Sequence, residues 1–224
     1  MKAEILAVFG NDLTVVNAAR VSMDKWHAEF DFESDTRLIN YLAREEHWSP
    51  FSHPKATFMI TAPIFVARQW EKHRVGCVRG YDIYDQNEMS RRYVDDEPTF
   101  FVPDQWRSRP DGSIKQGSGE PLTAKMHDVC NEILEEAHEH ARDAYLYLLQ
   151  RGVAPEQARM VLPQTMYTQW IETGSLAYWH RLCDLRMDAH AQREINDLAC
   201  QVSAQMETTF PVSWAALWRN CSRV

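Results

Sequence analysis

The chain has 224 residues, 45% hydrophobic and 25% charged, enough to bury a core and suited to one domain spanning residues 1–224. A net charge of −8 and a pI of 5.6 argue against a general nucleic-acid binder but not against a local basic pocket. Cys77, Cys130, Cys183, Cys200 and Cys221 are scattered, with no Cys-x-x-Cys pair, and read as reduced thiols rather than a disulfide framework or zinc site. No apolar run approaches the roughly 20 residues of a membrane span, so the expected compartment is the cytoplasm.

Residues 3–9 read as a strand stopped by Gly10-Asn11. Asp12 then caps a helix carrying Val15, Val16, Ala19 and Arg20. Arg20 and Ser22 fit either a helix-end cation with a turn hydroxyl or an active-site pair. A second helix opens at Ser34-Asp35, with Leu38, Ile39, Leu42 and Ala43 on one stripe. It ends near His47-Trp48-Ser49-Pro50-Phe51-Ser52-His53, where no third ligand stands at a metal-binding spacing, and no metal is expected. Residues 55–62 alternate as a strand, and Pro63 starts the next helix. On that helix Arg68 and Lys72 share one side, as do Gln69 and His73.

Two runs dominate the chemistry: Arg68-Gln69-Trp70-Glu71-Lys72-His73-Arg74 and Asn87-Glu88-Met89-Ser90-Arg91-Arg92-Tyr93. Arginine forks, a hydroxyl and a phenol suit a phosphorylated ligand better than they suit a core. Between the runs Gly76 and Gly80 break the helical pattern, and residues 78–85 read as a loop or short hairpin. Residues 99–103 suggest a brief strand and 104–120 a surface loop.

Residues 121–151 form the clearest helix. Leu122, Met126, Val129, Ile133, Ala137, Ala141, Ala144 and Leu148 make its apolar stripe. His127, His138 and His140 fall mostly on the other side, and His138-Glu139-His140 reads as solvated surface. A short helix at 156–159, a strand at 165–172 and a helix after Thr173-Gly174-Ser175 follow. Residues 189–206 make a further helix, and 213–217 a last turn or two with Trp214 and Trp218 in core or subunit packing. This amounts to an α+β fold, a small mainly antiparallel sheet of about four strands packed with about six helices.

The two cationic runs resemble the signature of the flavin-dependent thymidylate synthases, an Arg-His-Arg triplet followed by Asn-Glu-hydrophobic-Ser-x-Arg-Tyr. Asn11-Asp12-Leu13 with Ala18-Ala19-Arg20-Val21-Ser22, the His47–His53 segment, Ala158-Arg159-x-Val-Leu-Pro and the run from Leu185-Arg186 to Glu194-Ile195 resemble further motifs of that family, in the order expected. Two departures stand out. Lys72 replaces the first arginine of the triplet, and 15 residues separate Arg74 from Ser90 where the family usually has seven or eight. The extra stretch is roughly 78–85, an insertion.

The resemblance implies reductive methylation of dUMP to dTMP, with methylenetetrahydrofolate as carbon donor, FAD as hydride carrier and NADPH as reductant of the flavin. Flavin-dependent hydroxymethylation of a pyrimidine nucleotide and a non-catalytic flavin- or nucleotide-binding protein are the alternatives. It implies a homotetramer with active sites built from several subunits. It places Gln69, Ser90, Arg92, Tyr93, Arg159 and Arg186 on dUMP, with Ser90 and Arg186 catalytic. It places His47, Ser49, Lys72, His73, Arg74, Glu88 and His190 on FAD. Positions 175 and 177, often Asn and Arg on the flavin in relatives, are Ser175 and Ala177 here, and no flavin role is carried to them.

Overall fold

The computed structural model describes residues 1–73, 85–94, 96–110 and 117–222. Strands β1 (Lys2–Phe9), β2 (Lys55–Pro63), β3 (Asp85–Glu88) and β4 (Tyr167–Ser175) form one antiparallel sheet in the order β1-β2-β4-β3. Helices α1 (Asp12–Arg20), α2 (Phe32–Arg44), α3 (Ile64–Trp70), α4 (Ala124–Gln150), α5 (Pro155–Ala158), α6 (Leu176–Arg186), α7 (Arg193–Thr209) and α8 (Pro211–Cys221) surround it. The fold is α+β. No helix among the described residues is long and apolar enough to cross a membrane.

Alternation explains the central strand. Ala56, Phe58, Ile60 and Ala62 of β2 are buried, and the residues between them are half-exposed. Strand β2 is bonded on both sides, to β1 from Lys2↔Thr61 and to β4 from Lys55↔Ser175 to Pro63↔Tyr167. Val15, Val16, Ile39, Phe58, Trp70, Trp179, Leu198, Val202 and Leu217 join one buried cluster beside the sheet.

Several expectations need correction. The fourth strand is Asp85–Glu88, not 99–103, of which Phe100 keeps only an isolated bridge to Met166. The β4 edge is instead filled by Asp85↔Thr173 to Glu88↔Trp170. Asn11, not Asp12, caps α1 by accepting from the Thr14 N–H at 3.2 Å. The buried Asp12 carboxylate instead accepts from the Val212 and Ser213 N–H groups at 3.0 and 2.9 Å, closing the start of α8. Asp31 caps α2, and Asp35 is an internal acceptor that takes Arg20 at 2.8 Å and His27 at 3.1 Å. Arg20 and Ser22 thereby have structural work, Ser22 Oγ donating to the Ala19 carbonyl.

The long helix is rotated relative to its pattern, with Leu122, Ala141 and Leu148 of the expected stripe half-buried and the rest of that stripe facing out. Ile133 is 62% exposed, and Met126, Val129, Ala137 and Ala144 also face outward. The inward side carries His138, 5% exposed, and Tyr145, fully buried. His138, expected as solvated surface, stacks on Phe100 with centroids 4.5 Å apart and shares a hydrogen bond of 2.8 Å with Thr165 Oγ1. Burial and Arg142 hold its pKa below the ordinary imidazole value. A hydrogen-bond partner and a ring face compensate its burial.

Candidate active site

Helix α3 places the first cationic run. Val66, Ala67 and Trp70 are buried and fix its inner side. The helix ends at Trp70, so Lys72 and His73 lie in the following turn rather than on helical faces shared with Arg68 and Gln69. The Trp70 indole donates to Glu172 Oε2 at 2.9 Å, and Trp170 donates to the same oxygen at 3.0 Å. The Tyr178 hydroxyl donates to Glu172 Oε1. Gly174 gives that phenol its room, since a Cβ there would stand 2.2 Å from the Tyr178 ring. Burial pushes the Glu172 carboxyl up, and the three donors oppose it. This buried quartet pins the end of α3 to the sheet.

Two cavities open on either side of α3, and they share no lining residue. The first, about 720 Å³, is lined by Gln69, His73, Arg107, Arg186, Asp188 and His190 among others. Arg186 stands at the C-terminal end of α6 and donates through Nε to His73 Nε2. His73 is therefore the neutral acceptor. Burial, then Arg186 and Arg181, lower its pKa to about 4. Burial also lowers the Arg186 pKa. Gln69 Oε1 is shielded from water and has no hydrogen-bond partner among the described residues. An amide and a guanidinium on the walls of one cavity suit a ligand that presents an N–H next to a carbonyl oxygen, which the Gln69 amide would turn to meet.

The second cavity, about 570 Å³, is lined by Arg68, Glu88, Ser90, Arg91, Arg92, Arg159 and Thr168 among others. Strand β3 delivers its near wall. The Met89 N–H bonds the Gln169 carbonyl at 2.8 Å, and a turn follows in which the Tyr93 N–H bonds the Ser90 carbonyl at 3.0 Å. Arg92 Nε donates to Ser90 Oγ at 3.3 Å, and Arg159 Nε to the Glu156 carbonyl at 3.2 Å. Neither terminal N–H₂ fork is hydrogen-bonded to a described residue, and the Arg92 guanidinium lies over the Tyr93 ring, 5.3 Å from its centroid. Glu88 accepts from Thr168 Oγ1 at 2.7 Å. Arg91 is buried and bonded to Asp96, carbonyl and carboxylate, so it holds the turn.

Of the remaining candidates, His47, Ser49 and Lys72 are exposed and line neither cavity, and Tyr93 is 80% exposed. Arg74, Cys77 and most of the 78–85 insertion lie outside the described residues. Lys72, His47, Ser49 and His190 are exposed, with His190 alone on a cavity wall, and a cation, a hydroxyl and imidazoles are side-chain types that can meet the phosphates and polar ring edge of a dinucleotide. Arg107 had no signal in the sequence beyond its charge. In the expected surface loop it donates to Glu194 Oε1 at 2.6 Å and to Ser118 Oγ at 2.7 Å, and it walls the first cavity. The Ser108 N–H bonds the Glu120 carbonyl and Leu122 N–H that of Trp106, so the described parts of 104–120 pair with each other.

Residues 4–212 match the family profile described as Thymidylate synthase complementing protein. A flavin-dependent thymidylate synthase of Thermotoga neapolitana is 35% identical over 213 residues, 95% of this chain and 88% of the relative. That of Thermus thermophilus is 34% identical over 207 residues, 92% and 72% of the two chains. The UMP/dUMP methylase PolB of Streptomyces cacaoi, bound with 5-Br dUMP, superposes with a TM-score of 0.83 at 32% identity, covering 100% of this chain and 96% of that one. Its complex with 5-Br UMP superposes equally well, at 30% identity over 97% and 93%. The matched length, the two arginine cavities beside α3 and the order of the motifs agree, and the chain belongs to the flavin-dependent thymidylate synthase family, as an enzyme of that class.

Proposed function

We propose that the protein converts dUMP to dTMP by reductive methylation, taking its carbon from methylenetetrahydrofolate, with FAD as flavin and NADPH as its reductant. The observation that carries this reading is the first cavity: Arg186 held by a neutral His73, beside a shielded and unpartnered Gln69 Oε1. Uracil presents an imide N–H flanked by two carbonyl oxygens. Gln69 accepts from the N–H, and Arg186 faces a carbonyl oxygen. A guanidinium there stabilises negative charge on that oxygen and so favours the enolate-like ring in which C5 is nucleophilic. The protein's part is to bind, orient and polarise the ring, and no cysteine attack is needed. When bound, the flavin supplies the hydride that brings the transferred carbon to the methyl level. His47, Ser49, Lys72, His73, Arg74, Glu88 and His190 would hold it.

Ser90, Arg92, Tyr93 and Arg159 would hold the rest of the nucleotide, from the other side of α3. Gln69 and Arg186 open into one cavity and Ser90, Arg92 and Arg159 into another. One nucleotide would meet both sets where two copies of the chain face each other, which favours an oligomer of this chain, the homotetramer being the form proposed. The outward apolar side of α4, about 40 Å long at 1.5 Å per residue, is the surface that such an assembly would cover.

Turnover of dUMP with methylenetetrahydrofolate and NADPH, with the product identified by mass, tests the reading. A flavin absorbance spectrum and dTMP are expected. A hydroxymethyl product would mean that Lys72 and the insertion have redirected the site. The PolB complexes hold both UMP and dUMP analogues, so UMP is the second substrate to assay.

A further inference from the structure

Arg68 opens the first cationic run, yet the reading above gives it no task. It is exposed in the last turn of α3 and lines the cavity of Ser90, Arg92 and Arg159. Its guanidinium makes no hydrogen bond or ion pair with any described residue. Successive helical positions turn by about 100°, so Arg68 faces this cavity while Gln69 faces the other. The helix beneath is fixed by buried Val66, Ala67 and Trp70, so the cation stands on a rigid element. Among the described residues, Arg92 and Arg159 engage protein oxygens through Nε alone. Three guanidinium forks around one cavity exceed what uracil carbonyls require. They match a phosphate dianion, whose three terminal oxygens each accept more than one hydrogen bond.

We propose that Arg68 binds the 5′-phosphate of the nucleotide and completes a three-arginine phosphate site with Arg92 and Arg159. The assignment rests on the dUMP reading of the site. It makes Arg68 a determinant of nucleotide over nucleoside, because a ligand without the phosphate gains nothing from it. Calorimetric titration of the flavin-loaded protein with dUMP and with 2′-deoxyuridine tests this, using wild type, Arg68→Ala and Arg68→Lys. Arg68→Ala is expected to weaken dUMP roughly 10- to 100-fold and to leave deoxyuridine binding unchanged, with Arg68→Lys in between. Flavin absorbance per chain is expected to stay at the wild-type level in both variants. Unchanged dUMP affinity, equal losses on the two ligands, or flavin loss with dUMP affinity intact would each overturn the assignment while the dUMP reading stands. A wild-type protein that binds neither pyrimidine would overturn both.

Discussion

Residue-scale chemistry centres on His73 and Arg186. An imidazole that accepts from a guanidinium must be neutral, and burial together with Arg186 and Arg181 brings its pKa to about 4, against an ordinary 6.5. A group whose folded pKa is depressed in this way contributes stability that is complete above pH 6.5 and is lost as the pH falls toward 4. The urea midpoint of wild type should therefore drop across that window, and that of His73→Gln should drop less. Arg186→Ala removes the charge proposed to act on the uracil carbonyl. Turnover should fall by about 10²-fold or more, with flavin absorbance retained, as single-turnover kinetics on the purified variant would show. At this scale residue type singled out side chains that the fold brings to cavity walls, Gln69, His73, Arg186 and His190 to one and Glu88, Ser90, Arg92 and Arg159 to the other, while the roles proposed for them rest on the assays above. The neutrality of His73 was not legible, because it depends on a contact with a residue 113 positions away.

Elements succeed or fail according to what covers them. The alternation in β2 and β4 was readable because each has one buried face. Strand β3 was not, because Asn87 and Glu88 are polar and exposed, and its pairing comes from the open edge of β4 rather than from its own pattern. Asp12 looked like a local cap but serves a helix some 200 positions later, a long-range partner that no local rule reports. Glu172 is the element-scale anchor. Glu172→Ala would strip three buried donors of their acceptor and should cost about 3–5 kcal/mol of folding stability. Glu172→Gln keeps an acceptor oxygen and should cost less, a difference that chemical denaturation of the two variants would measure.

On the scale of the whole molecule, the outward apolar stripe of α4 is the feature that periodicity located and misdirected. Hydrophobic spacing reports that a face is to be covered, not by which chain. Ile133→Glu should therefore shift the protein to smaller species in sedimentation with its circular dichroism unchanged, since Ile133 is 62% exposed in the single chain. Activity should fall with assembly, because Ser90 and Arg186 open into cavities on opposite sides of α3. The most direct test of that division is complementation between two inactive subunits, Ser90→Ala and Arg186→Ala, co-expressed and assayed for dTMP formation. Mixed oligomers should regain a substantial fraction of wild-type activity, since an intact site can form from the unmutated half of each copy. Activity no higher than that of either variant alone would contradict the account and place both residues in a site made by one chain.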